Sequence, residues 1–154
     1  RPYLQGARLT ASVLKEQGFK TTVITDNMVA WTMSQKDIDL FTSAADTICM
    51  DGYIVNKVGT LQIAILCKHF GIPYFVTGIP DVDKLKKDII IEERSPNEVL
   101  EFNNLKNTLN GVEAYYPAFD ITPPYLINGV VTDKKIFSPY NLDEYFKDEV
   151  EQYY

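Results

Sequence analysis

Residues 40–77 constrain this chain's fold more than any other stretch. Residues 40–45 (LFTSAA) make a short apolar run that ends on Asp46. A turn-rich segment carrying Asp51 and Gly52 follows, and residues 56–70 (NKVGTLQIAILCKHF) then read as one long apolar helix. Gly71 stands where a left-handed residue closes a helix. Pro73 leads into residues 74–77 (YFVT), an aromatic and β-branched run suited to a strand. Strand, helix and strand with short connections predict an α/β fold: a Rossmann-like parallel sheet with helices on both faces.

The flanks extend the alternation. Leu4, Ala7, Ala11 and Leu14 fall at helical spacing, and Gly18 is placed to end that helix. Residues 21–25 (TTVIT) predict a buried strand, with Asp26 and Asn27 capping a second helix through Met28, Trp31 and Met33. Residues 89–91 (III) predict another strand. In Ser95-Pro96-Asn97-Glu98, a serine cap is followed by proline at the first helical position and glutamate at the third. Residues 101–111 are polar and read as loop or frayed helix, and 112–116 as an extended strand stopped by Pro117. Thr122-Pro123-Pro124 starts a short helix, 129–132 and 135–137 form a β-rich segment, and 141–154 read as an acidic, aromatic surface helix. No repeat or low-complexity linker divides residues 1–154, so a single domain is expected.

Composition narrows the function. With 154 residues, 45% of them hydrophobic, the chain can bury a real core. A net charge of −6 argues against nucleic acid as a partner, and Asp81, Asp83 and Asp88 offset the lysines at 84, 86 and 87. Cys49, Cys67 and the single His69 follow no metal-ligand spacing, so no metal is expected. No phosphate-loop or dinucleotide glycine pattern implies a cofactor. No apolar run reaches the roughly 18 residues of a membrane span, and no signal peptide is visible. With no disulfide framework either, a cytoplasmic protein is expected. The first residue is Arg rather than Met, as in a processed chain or a piece of a longer one.

Open α/β sheets bind ligands at the carboxyl ends of their strands, which draws attention to Asp46. Asp46 is either a turn former or, if partly desolvated, a carboxyl able to exchange protons near neutrality. Asn56 and Lys57 are either a helix cap and a solvated charge, or an anion clamp beside free helical N–H groups, with Gly59 allowing close approach. Gln5 by itself reads as an exposed helical glutamine, Asp120 as a turn or subunit-contact residue, and His69 as structural. Glu92, Glu93 and Arg94 read as a local ion-pair cluster.

Six blocks carry a resemblance: residues 1–11 (RPYLQGARLTA), 25–28 (TDNM), 45–46 (AD), 56–60 (NKVGT), 91–96 (IEERSP) and 117–123 (PAFDITP). In this order they resemble the C-terminal domain of 5-methylthioribose-1-phosphate isomerases, a superfamily shared with regulatory subunits of translation initiation factor 2B. The resemblance implies an aldose–ketose isomerase of methionine salvage, converting 5-methylthioribose 1-phosphate to 5-methylthioribulose 1-phosphate. It implies Asp46 as the catalytic acid/base, and Gln5, Asn56 and Lys57 as substrate-binding residues. It further implies a sugar-phosphate substrate, a homodimer, and an N-terminal half of the same protein that supplies a catalytic cysteine and a phosphate loop. Neither of these lies in this chain, which is then expected to be inactive alone. Cys49 and Cys67 fall in the wrong blocks to substitute. Thr47, Tyr53 and Tyr116 stand where the family usually has arginine, aspartate and asparagine, with Thr47 and Tyr53 expected nearest the site. A non-catalytic binding subunit and a related pentose-1-phosphate isomerase are the alternatives the same likeness offers.

Overall fold

The computed structural model describes residues 3–147. The chain enters through a wide helical turn at Gly6–Thr10 that continues as α1, Ala11–Glu16, and Gly18 closes it at φ +86°. No side chain of this segment is buried. After an extended stretch, a 3₁₀ turn (Asp26–Met28) leads into α2, Val29–Gln35. Then come β1 (Phe41–Ala44), β2 (Thr47–Ile48), β3 (Ile54–Lys57), α3 (Thr60–Phe70) and β4 (Tyr74–Thr77). The second half holds α4 (Asn97–Leu100), β5 (Glu101–Phe102), β6 (Leu105–Lys106), β7 (Phe119–Thr122), β8 (Gly129–Val131), β9 (Ile136–Phe137) and α5 (Glu144–Lys147).

The expected α/β architecture holds, but the sheet is mixed. In the order β1-β4-β8-β9, the first three strands run parallel and β9 returns antiparallel. A second, wholly antiparallel sheet pairs β2-β3-β7. The chain passes from the first sheet to the second across Ala45 and Asp46, so Asp46 sits at the carboxyl end of β1 where the sheets diverge. The core lies around the parallel sheet and α3: Ile48, Ile54, Ala64, Cys67, Tyr74, Val76 and Val130 are almost fully buried. Tyr74 stacks on Phe41 at 4.6 Å, and its buried phenol, pushed up to about 12 by desolvation, shares a 2.7 Å hydrogen bond with the Ser43 hydroxyl.

Several local expectations are corrected. Residues 21–25 form no strand, and Val23 and Ile24 are exposed. β-branched residues favour a pleated surface with neighbours, and here there is none. No side chain of residues 26–28 caps α2; Thr25 bonds Asn27 instead. Residues 89–91 are not a strand either, and Ile90 is 94% exposed. α4 is a single turn with no serine cap. The polar stretch after it folds as the β5–β6 hairpin, whose Asn103 and Asn104 both hold positive φ (52° and 63°), as a two-residue hairpin turn requires. Residues 112–116 form no strand, although an isolated bridge joins Glu93 to Pro117. The start of the expected tail helix is not a purely surface element, since Leu142 and Tyr145 are buried. Residues 148–154 of that helix lie outside the described residues.

Candidate active site

The largest correction bears on the site itself. Asn56 and Lys57 lie on β3, not at the mouth of a helix. β3 pairs in register with β7, setting Asn56 opposite Asp120 and Lys57 opposite Phe119. Ile54 and Val55, both buried, hold the strand in place. The partner strand lies more than sixty residues downstream, which is why the local pattern read as a helix start.

α3 begins only at Thr60, after Gly59 at φ +108°. Its amino end is already occupied. The Asp120 carboxylate accepts the Gly59 N–H at 2.7 Å and the Leu61 N–H at 3.1 Å, supplying the negative charge that a helix start favours. Desolvation raises the Asp120 pKa above its usual value and outweighs these two bonds, which lower it. Asp120 is therefore a long-range cap, a role that its turn-like sequence setting did not show. Any anion held nearby must rely mainly on side chains.

Those side chains converge. One cavity of about 850 Å³ is lined by Gln5, Asp46, Asn56 and Lys57, together with Tyr3, Glu92, Glu93, Arg94, Ser95, Glu98 and Phe119. Gln5 comes from the start of the first helical turn, directly after Leu4, which holds φ +58°. A leucine in that region costs about 1–2 kcal/mol, so strain lies beside a candidate binding residue. The Asp46 backbone N–H donates to the Val55 carbonyl at 2.9 Å. Asp46 is exposed, and its carboxylate accepts no hydrogen bond among the described residues. Asn56 Nδ2 donates to Thr60 Oγ1 at 3.0 Å, and that hydroxyl donates to the Lys57 carbonyl at 2.8 Å, which fixes the end of β3.

Cations flank the aromatic wall. Lys57 Nζ lies 4.2 Å from the Phe119 ring centre, and the Arg94 guanidinium lies 5.8 Å from it and 5.4 Å from Tyr3. Glu92 receives the Arg94 fork, from Nε at 2.9 Å and Nη2 at 3.2 Å. The guanidinium holds the Glu92 carboxyl below the usual carboxylate range. The Glu92–Arg94 pair expected from the sequence is thus present, and it belongs to the cavity rather than to a remote surface. Backbone bonds from Arg94 to Tyr116 and from Ala118 to Glu92 draw this segment against the start of β7.

The remaining candidates lie elsewhere. Thr47 follows the lining residue Asp46 and pairs with Val55 without itself lining the cavity, while Tyr53 lies beneath Lys86, 5.2 Å from its Nζ. Cys49 and Cys67 are buried outside the cavity, and desolvation pushes both thiols up to about 11. Each thiol is protonated at neutral pH and unsuited to act as a nucleophile. Among the described residues no three His, Cys, Asp or Glu side chains group as a metal site, and no helix is long and apolar enough to cross a membrane.

The family model described as the initiation factor 2 subunit family matches residues 1–139. The chain belongs to that family. Within it, the methylthioribose-1-phosphate isomerase of Bacillus pumilus is 47% identical over 142 residues, covering 90% of this chain and 40% of that protein. The crystal structure of 5-methylthioribose 1-phosphate isomerase from Pyrococcus horikoshii OT3 superposes with a TM-score of 0.88 at 39% identity, over 96% of this chain and 43% of that one. Translation initiation factor eIF-2B subunit delta from A. fulgidus gives 0.83 at 34%, over 90% and 42%. This member of the initiation factor 2 subunit family thus spans about 40% of the length of the relatives it matches.

Proposed function

We propose that this chain forms one half of the active site of a sugar-phosphate isomerase, interconverting 5-methylthioribose 1-phosphate and 5-methylthioribulose 1-phosphate. The observation that carries the reading is the single cavity lined by Gln5, Asp46, Asn56 and Lys57, residues from three separate segments of the chain. Gln5, Asn56 and Lys57 hold the substrate, with Lys57 contributing positive charge toward its phosphate. Asp46 is the acid/base. A sugar phosphorylated on its anomeric oxygen cannot open to a free aldehyde, so the enzyme opens the ring with the phosphate attached and moves hydrogen from C2 to C1. A carboxyl that gives and takes a proton, beside groups that fix the phosphate, suits both steps.

An exposed Asp46 needs cover to work in this way. On our reading the cover and the catalytic cysteine come from an N-terminal half of the same protein, and the assembled enzyme is a cytoplasmic homodimer. Nuclear magnetic resonance of 5-methylthioribose 1-phosphate with the full-length protein tests the proposal. Ketose phosphate is expected to accumulate there and not with residues 1–154 alone. The structural likeness to the eIF-2B delta subunit favours one second reading, a binding subunit without turnover. Binding of the sugar phosphate by the full-length protein without any conversion would select that reading.

A further inference from the structure

A second cavity, of about 520 Å³, adjoins the first. Its walls are mainly apolar and aromatic, with Val58, Val99, Phe102, Tyr115 and Pro117 among them, and Glu98 lines both cavities. The two also follow one another along the chain, since Lys57 lines the first and Val58 the second, while Phe119 lines the first and Tyr116 and Pro117 the second. At this shared wall Glu98 Oε2 is buried with no hydrogen-bond partner among the described residues, and Arg94 lies beside the Tyr116 hydroxyl. A buried carboxylate oxygen left unpaired beside an apolar hollow suits a ligand with hydroxyls at one end and an apolar substituent at the other.

We infer that the second cavity receives the apolar 5-substituent of the sugar phosphate, and that Val99 and Phe102 set the preference for a thioether over a hydroxyl at that carbon. This rests on the isomerase reading and adds to it the part of the substrate that the polar cavity does not address. The sugar ring lies at the shared wall, where Glu98 accepts from a ring hydroxyl, while the thioether methyl passes among the apolar side chains. Glu101 and Asn107 also line the cavity, but a 5-hydroxyl seated between Val99 and Phe102 would lose its water without gaining a partner from either. Tyr115, 71% exposed, marks the open side of the hollow.

The test measures kcat/KM of the full-length protein for 5-methylthioribose 1-phosphate, 5-deoxyribose 1-phosphate and ribose 1-phosphate. Wild type is compared with Val99→Asp, Phe102→Ser and the conservative Phe102→Leu. Val99 and Phe102 are each about half exposed, so the variants retain the fold, and an unchanged melting temperature verifies it. The expected result is a fall of about tenfold or more for the methylthio substrate in the first two variants, with under about threefold for the two smaller sugars. Phe102→Leu should recover most of the loss. Equal falls for all three sugars, or none, would overturn the inference while leaving the isomerase reading intact. A wild type that converts no sugar phosphate would overturn both.

Discussion

Asp46→Asn in the full-length protein is expected to lower kcat for 5-methylthioribose 1-phosphate by about 10²–10⁴-fold, the usual worth of a positioned proton-transfer group. Asparagine keeps the size and the backbone of the bend between β1 and β2, including the N–H donated to Val55, but cannot exchange a proton. KM should change little, because on the proposed reading the phosphate is held by Gln5, Asn56 and Lys57. Steady-state kinetics with the two parameters resolved provide the measurement. Since the Asp46 carboxylate accepts no hydrogen bond among the described residues, the variant should unfold at the wild-type denaturant concentration, which separates a chemical defect from a structural one. Turnover within a factor of a few of wild type would remove Asp46 from the mechanism.

The largest expected effect on stability lies at Gly52, in the turn between β2 and β3. Gly52 holds φ +83°, and a Cβ there would stand 2.2 Å from the Pro139 carbonyl oxygen and 2.9 Å from Pro124 Cβ. Neither neighbour is the end of a flexible side chain. Gly52→Ala therefore combines the left-handed backbone cost of about 1–2 kcal/mol with a backbone collision, and should destabilise the protein by about 3 kcal/mol or more. For a chain of this size that is roughly a 10 °C drop in melting temperature. Gly18→Ala is the matched control: its φ is +86°, but nothing lies within 4 Å of the added methyl. It should cost only about 1 kcal/mol, and the difference between the two isolates the collision. Equal shifts in urea unfolding would mean that residues 139 and 124 can retreat. The same turn precedes β3, so a displaced Gly52 would also disturb Asn56 and Lys57.

The two cases show what local reading could and could not reach. The parallel strands β4 and β8 and the helix α3 were legible because each is a continuous, largely apolar run that a glycine or proline delimits, and β1 because it lies in the run 40–45 that ends on Asp46. The antiparallel sheet was not. β3 acquires its identity from β7, and neither the Asn56–Asp120 pairing nor the capping of α3 by Asp120 leaves a trace within a dozen residues of either partner. Residues 21–25 and 89–91 failed in the opposite direction, since their composition suits strands but they join no ladder among the described residues. The Asn103-Asn104 turn, by contrast, carried a readable signal, because asparagine tolerates positive φ at both central positions.

Of the candidate site, the resemblance supplied Gln5, Asp46, Asn56 and Lys57, and the cavity unites all four. Residue by residue, Glu92, Glu93 and Arg94 read as a local ion-pair cluster. Their sequence neighbours gave no reason to move them. The isolated bridge between Glu93 and Pro117 carries them into the cavity, and the rings of Tyr3 and Phe119 seat the guanidinium there. Charge was therefore legible in the sequence, but the contact that makes it part of a site was not.

The central claim is that these residues form a substrate site for a sugar phosphate. A crystal structure of the full-length protein with 5-methylthioribulose 1-phosphate bound tests it most directly. The phosphate is expected within hydrogen-bond reach of Gln5 and of Asn56 or Lys57, with C1 and C2 of the sugar beside the Asp46 carboxylate. A sugar phosphate bound outside this cavity, or bound inside it with Asp46 remote from C1 and C2, would contradict the account.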